Sequence, residues 1–375
     1  MRIFISVGDP SGDRHAAYLV RALRDLEPGC EIDALGGPQL ERVGIRVRHR
    51  LTDLPIVGLG GIASRLTFFR RLMTDTVDHL TAARTDVLVL IDYPGFNLRL
   101  ADRARRAGIK TAYFIGPQIW AWGRGRSERI KRAIDMMLVV FEFELDLYKD
   151  AGVPVRWVGH PLLDEIDFDV ARDFRRQQGF DPDATLLCLL PGSRRSEIER
   201  IFPTMLGALA QIRSAHTSLQ AAVAVAPGLD RSLLESHIRA AGARVTLLEG
   251  SAHALMGAAD LALVASGTAT LETALFGTPQ IVLYRTDPVT YLAGKLLVSV
   301  PHIGLVNVIA GREAAPEFIQ HRCQADIVAA ESIRMLGEPE LAARGEALAT
   351  ELKGKLGEPG ASVRAATAIL ELARL

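Results

Sequence analysis

The stretch VASGTATLETALFGTPQIVLYR, residues 264–285, decides the fold. It reads as an apolar strand end, a turn of small residues, a helix, a Gly-Thr-Pro stop and a second apolar strand. Ser266, Gly267, Thr268, Ala269 and Thr270 stand in a row, and one carboxylate, Glu272, lies just inside the helix. Small residues at a strand-to-helix turn leave room for a ligand, and the free N–H groups of a helix start favour an anion.

The same unit recurs in both directions along the chain. The first half carries RIFISVG (2–8), DVLVLID (86–92), KTAYFIG (110–116), MMLVVF (136–141) and VRWVG (155–159). The second carries TLLCLLPG (185–192), LQAAVAVAPG (219–228), RVTLLEG (244–250), LALVASG (261–267) and PQIVLYR (279–285). Continuous apolar strands separated by amphipathic helices indicate parallel sheets covered on both faces. The expected class is therefore α/β, doubly wound. The series restarts once, after VGHPLLDEI (158–166), where a polar segment precedes a fresh strand. Two Rossmann-like domains facing a cleft are expected, at residues 1–168 and 169–355, with a C-terminal helix in 356–375 packing back on the first. Ligands of such sheets bind beyond the carboxyl ends of the strands.

Composition narrows the function. Among 375 residues, 44 basic side chains balance 44 acidic ones, so no nucleic-acid partner is expected. Cys30, Cys188 and Cys323 lie far apart without a CxxC pair, which points to neither a disulfide nor a metal framework. The uncharged run from Leu296 to Gly311 falls short of the roughly 20 residues of a spanning helix. No membrane span and no cleavable leader are expected.

Chemistry should sit in the loops that follow the strands. VGDPSGDRHAA (7–17) offers Asp9, Ser11 and Asp13 before a helix, as a cleft loop or as a capping turn. In IDYPGFNLRLA (91–101), Asp92 ends a strand and is placed to take a proton from a hydroxyl. GPQIWAWGRGRSERIKR (116–132) sets Trp120 and Trp122 beside a basic run, which suits an amphiphile carrying a phosphate or an interdomain core. LLPGSRRSEIER (189–200) combines Gly192, Ser193 and Arg194 at a helix start, and Arg194 can hold a phosphate as a bidentate donor. Two helix starts and an arginine together neutralise a diphosphate, and Glu272 is placed to accept from ribose hydroxyls. No paired-carboxylate metal motif ends a strand, so neither metal nor other cofactor is expected. A nucleoside-diphosphate leaving group answers the opening stretch better than inorganic phosphate does.

These motifs resemble the lipid-A-disaccharide synthase family nearly end to end: VGDPSGD, LIDYPGFNLRLA, PQIWAW, VGHP, LLPGSRRSEI, ASGTATLE and LVNVIAGRE (305–313). The combination of IDYPGFN, WAW and NVIAGRE is the most specific part, and Asp9 stands where this family often has Glu. The resemblance implies a two-Rossmann GT-B glycosyltransferase of lipid A biosynthesis in a Gram-negative bacterium. It would join UDP-2,3-diacylglucosamine to 2,3-diacylglucosamine 1-phosphate through a β-1,6 linkage, with inversion, no metal and release of UDP. Asp92 would be the base; Arg194 with Gly192 and Ser193 would hold the diphosphate. Ser266, Gly267 and Thr268 would cradle it, Glu272 would hold the ribose, and Asn307, Gly311 and Arg312 would line the donor side.

Acylated substrates also give a reason for LPIVGLGGIASRLTFFRRLM (54–73). Ile56, Val57, Leu59, Ile62, Leu66, Phe68 and Phe69 neighbour Arg65, Arg70 and Arg71, a pattern suited to acyl chains and an anionic membrane surface. The alternative is a buried helix. The expected place is the cytoplasm, at the periphery of the inner membrane, and a homodimer stays open. The rival readings are an enzyme like UDP-N-acetylglucosamine 2-epimerase and a non-catalytic UDP-sugar-binding protein.

Overall fold

A computed structural model describes residues 1–52, 62–117, 127–287, 291 and 301–375, without the side chains of 62–66 and 127. One sheet holds β1 (Arg2–Val7), β2 (Glu31–Gly36), β3 (Arg46–Arg50), β4 (Val87–Ile91), β5 (Lys110–Phe114), β6 (Met136–Val139) and β7 (Val155–Trp157). Their order is β3-β2-β1-β4-β5-β6-β7. The other holds β8 (Leu186–Leu190), β9 (Gln220–Val225), β10 (Thr246–Glu249), β11 (Leu261–Ala265), β12 (Gln280–Tyr284) and β13 (Glu317–Ile319), in the order β10-β9-β8-β11-β12-β13. The described pairings in both sheets are parallel. This is the expected α/β class, with two doubly wound sheets.

The chain divides into two units: Met1–Glu165 with Leu356–Leu375, and Ile166–Lys355. Each sheet reverses its strand order at one place, between β1 and β4 in the first and between β8 and β11 in the second. Connections leave in opposite directions at such a point and open a crevice at the carboxyl ends of its two strands.

Burial on both faces explains why the strands read as unbroken apolar runs. In β8, Leu187 and Leu189 face Ile198, Phe202 and Met205, while Leu186, Cys188 and Leu190 face Phe174, Leu255 and Met256. Leu189→Ala would remove contacts at a fully buried position, a cost of about 3 kcal/mol.

β2, β3 and β13 lie outside the strand series expected from sequence. β3 reads RVRHR and is largely exposed, and β2 carries Glu31 and Asp33 in its first half. β13 is only three residues long. Polar or very short strands lack the apolar run that marked the others.

The helices that matter for the site begin at strand ends. α1 (Pro10–Leu26) starts with proline at its first turn, and the Asp9 side chain accepts from Gly12 N at 2.9 Å. α2 (Pro38–Arg42), α3 (Ile62–Ala82) and α4 (Pro94–Arg106) follow. The last helix, Ala361–Arg374, packs on α1, and Asp164 caps it by accepting from Gly360 N at 2.5 Å and Ser362 N at 2.9 Å. Among the described residues no helix is long and apolar enough to cross a membrane.

Candidate functional site

In the first unit, the loops after β1 and β4 flank the reversal point. Asp92 and Tyr93 both adopt left-handed backbone, with φ of 44° and 49°, and Ile115 after β5 does the same at 58°. Such a conformation costs an L-residue about 1 kcal/mol or more, so the surroundings must impose it. Asn97 does so from the first turn of α4. Its Nδ2 donates to the Asp92 carbonyl at 2.8 Å and to the Ser6 and Ile91 carbonyls at 3.1 Å each, while Ser6 Oγ donates to its Oδ1 at 2.7 Å. The Tyr113 hydroxyl donates to the same Asp92 carbonyl at 2.6 Å. Burial pushes the Tyr113 phenol well above its usual range, helped by the Asp92 charge, so it stays a donor. The Asp92 backbone is therefore fixed by two fully buried side chains.

The neighbouring loop is locked to this one. A Cβ at Gly8 would lie 2.3 Å from the Tyr93 ring, so only glycine lets the turn after β1 pass beside it. Beyond that turn the predicted residues separate. Asp9 caps α1, and Ser11 is partly buried with its Oγ 3.4 Å from His15 Nε2. Asp13 is buried and turned into the fold, accepting from Gly37 N at 2.8 Å and Gln39 N at 2.7 Å to hold the turn into α2. Burial raises its pKa although those N–H groups oppose the shift.

On α3, Leu72, Met73, Thr76 and Leu80 face inward. Phe68 is 40% exposed, Arg70 and Arg71 are exposed, and Phe69 lies 5.9 Å from Phe96 at the edge of the core. Ile56, Val57, Leu59, Trp120 and Trp122 lie outside the described residues, as do the side chains of Ile62 and Leu66.

In the second unit, Gly192, Ser193 and Arg194 follow β8, and Ser266, Gly267 and Thr268 follow β11. β8 and β11 are paired neighbours with Leu190 opposite Val264, so the two helix starts stand side by side at the reversal point. Ser193 and Arg194 are exposed. Glu197, one turn on, accepts from Ser193 N and Arg194 N at 3.2 Å each and from Arg194 Nη1 at 2.9 Å. A carboxylate thus already sits on these donors. Gly267 has φ of 155°, and a Cβ added there would meet nothing within 4 Å. Ser266 Oγ donates to the Ile303 carbonyl at 3.0 Å. Glu272 is 7% exposed and lies 3.6 Å from His253 Nε2.

Asn307 and Arg312 are committed within the protein. Asn307 Oδ1 accepts from Ala314 N and Ala315 N at 2.8 Å each, and its Nδ2 donates to the Ala315 carbonyl at 2.7 Å and Glu317 Oε1 at 2.8 Å. It therefore shapes the 303–317 loop. Glu317, buried, also accepts from Ile303 N at 3.1 Å and Gly304 N at 3.0 Å. Arg312 makes a two-pronged pair with Glu351, at 2.8 and 2.7 Å. Gly311 ends the helix Leu305–Ala310 in the left-handed conformation.

Sequence reasoning passed over Asn97, Tyr113, Glu197, His253 and Glu317. Asn97 and Glu197 had a readable signal, a polar residue one turn into a helix that begins at a strand end. Tyr113 had none, because its partner on Asp92 is fixed only by strand order, and Glu317 had none, because its partners lie back along an irregular loop with no repeating pattern. Among the described residues no group of three or more His, Cys, Asp or Glu comes together as metal ligands.

Known proteins are similar to this chain in sequence or in fold. The family model described as lipid-A-disaccharide synthetase matches residues 3–370. A lipid-A-disaccharide synthase of Syntrophus aciditrophicus is 41% identical across 99% of this chain and 97% of its own length. One of Myxococcus xanthus is 38% identical, with 99% and 97% covered. Among solved structures, a UDP-GlcNAc 2-epimerase from Neisseria meningitidis bound to UDP-GlcNAc aligns with a TM-score of 0.68 over 99% of this chain and all of that one, at 12% identity, a likeness of fold alone.

Proposed function

Because the chain belongs to the lipid-A-disaccharide synthase family, we propose that it is a hexosyltransferase joining UDP-2,3-diacylglucosamine to 2,3-diacylglucosamine 1-phosphate, with UDP as the leaving group. The acceptor's 6-hydroxyl oxygen forms the new bond to the anomeric carbon as the bond from that carbon to the UDP oxygen breaks. The hydroxyl proton passes to the Asp92 carboxylate, and attack opposite the leaving group inverts the anomeric centre. Developing charge on the departing diphosphate is met by the helix starts at Ser193–Arg194 and Gly267–Thr268 and by the Arg194 guanidinium. Glu272 accepts from the ribose.

The observation that carries this reading is the left-handed Asp92, held by Asn97 and Tyr113 beside the strand reversal. Strain maintained by two buried side chains beside a strand reversal supports a role in function over one in packing alone. Asp92→Asn tests it: product formation falls by a factor of about a thousand or more while UDP affinity stays within twofold. A variant with near-normal turnover removes Asp92 as the base.

Contact with the membrane surface belongs to the same reading. Phe68, Arg70 and Arg71 on the outer side of α3 offer an aromatic side chain beside two cations. Replacing Phe68, Arg70 and Arg71 together by Ser should reduce sedimentation with anionic vesicles and leave the melting temperature unchanged. Equal sedimentation by wild type and variant rules this surface out.

A further inference from the structure

A chain of polar side chains runs from the β1–α1 turn to the end of the first unit, and the transferase reading does not use it. His15 is buried on α1. Its Nδ1 makes a short hydrogen bond to Glu165 Oε1, and its Nε2 lies 3.4 Å from Ser11 Oγ, one turn earlier. The side chains of His15 and Glu165 are 6% and 1% exposed. Arg14 Nε stands 2.8 Å from Glu165 Oε2. On its other side the imidazole meets His160 edge-on, with ring centroids 6.3 Å apart.

Burying a carboxylate this completely is costly unless it is matched, and Arg14 matches it. Asp164, beside Glu165, ties the same segment to the last helix, while Glu165 ties it to α1 through Arg14 and His15. The arrangement also fixes an imidazole tautomer. A ring nitrogen facing a carboxylate carries the hydrogen, so Nδ1 donates to Glu165 and Nε2 is the nitrogen that faces Ser11 Oγ. Nε2 can then accept from the Ser11 hydroxyl, which turns the oxygen's own lone pairs outward. Ser11 is partly exposed, in the first turn of α1, directly after the turn whose Gly8 packs against Tyr93 beside Asp92.

We propose that the Ser11 hydroxyl is a hydrogen-bond acceptor in the acceptor-sugar site, and that His15 and Glu165 are positioning residues that fix its polarity. Its ligand is a hydrogen-bond donor of the acceptor substrate, a hydroxyl or an amide N–H. A serine without such backing could turn either way; a backed one favours a donor and rejects an analogue lacking it. The proposal rests on the transferase reading.

The test is steady-state kinetics on the full chain with both substrates varied, for Ser11→Ala, His15→Asn, His15→Gln and the double variant Ser11→Ala/His15→Asn. Asn keeps a donor near the Nδ1 position and so the bond to Glu165, but has nothing at Nε2; Gln reaches the Nε2 position. The expected result is a rise of about tenfold in the acceptor KM for Ser11→Ala and for His15→Asn, with the donor KM unchanged. The double variant should be no worse than either single one, because the two residues act as a unit, and His15→Gln should recover at least half of the loss. Melting temperatures separate these effects from damage to the fold. An acceptor KM within twofold of wild type for Ser11→Ala, or losses that multiply in the double variant, overturns the proposal. Wild-type protein that forms no disaccharide at all instead overturns the transferase reading.

Discussion

Arg194 Nη1 and Glu197 Oε1 are 2.9 Å apart, and the other oxygen of Glu197 accepts from the backbone N–H groups of Ser193 and Arg194. A carboxylate of the chain itself occupies the donors that the proposed mechanism offers to the diphosphate. Its charge must leave those donors, or share them, when a more highly charged ligand arrives.

Glu197→Gln should therefore tighten UDP binding, by about threefold to tenfold in Kd measured calorimetrically. The same substitution should lower the melting temperature slightly, since a charged cap at a helix start contributes about 0.5–1 kcal/mol. Weaker UDP binding would mean that Glu197 holds Arg194 in its working position instead of competing for it.

Tyr113 and Asn97 reach the chemistry only through the Asp92 backbone. Tyr113→Phe keeps the ring in the core and removes one hydrogen bond to the Asp92 carbonyl. It should reduce kcat by about tenfold, leave the UDP Kd unchanged and cost about 1 kcal/mol of stability. An unchanged kcat with the same stability loss would make the clamp structural only.

Asn307 makes four hydrogen bonds inside its own loop. Asn307→Ala would strand two backbone N–H groups and remove one donor from the buried Glu317. The expected loss is about 2–4 kcal/mol in a denaturant titration, larger than the effect of removing any single exposed ion pair. A loss below about 1 kcal/mol would show that the 303–317 loop closes by itself.

Glu351 is held from 4.5 down to about 2, first by Arg312 and then by Lys355. A folded-state value below the ordinary one means the stabilisation is present above about pH 4.5 and is lost as pH falls toward 2. Glu351→Gln should melt lower than wild type at pH 6, and the two curves should converge over that acid range. Because the pair is partly exposed, the difference should also shrink in high salt. A gap that stays constant with pH would assign the effect to packing.

The architecture was legible wherever burial on both faces wrote a continuous apolar run, as in VLVLI of β4 and LLCLL of β8. β3, with RVRHR at a sheet edge, carried no such mark. For the site, local motifs placed Asp92, Arg194 and Glu272 at strand ends or one turn beyond, because turn chemistry is written in neighbouring residues. What sequence could not supply was the strand order. Only that order brings the β8 and β11 loops together, sets Tyr113 under Asp92 and turns Asp13 away to cap α2. Such contacts join residues far apart in the chain, and no local pattern encodes them.

The most direct test of the central claim is mass spectrometry of the products that purified protein makes from UDP-2,3-diacylglucosamine and 2,3-diacylglucosamine 1-phosphate in detergent. The account predicts a disaccharide 1-phosphate accompanied by one UDP per linkage formed, and its loss in Asp92→Asn. UDP released without disaccharide, or substrates left unchanged by protein that still binds UDP, would contradict it.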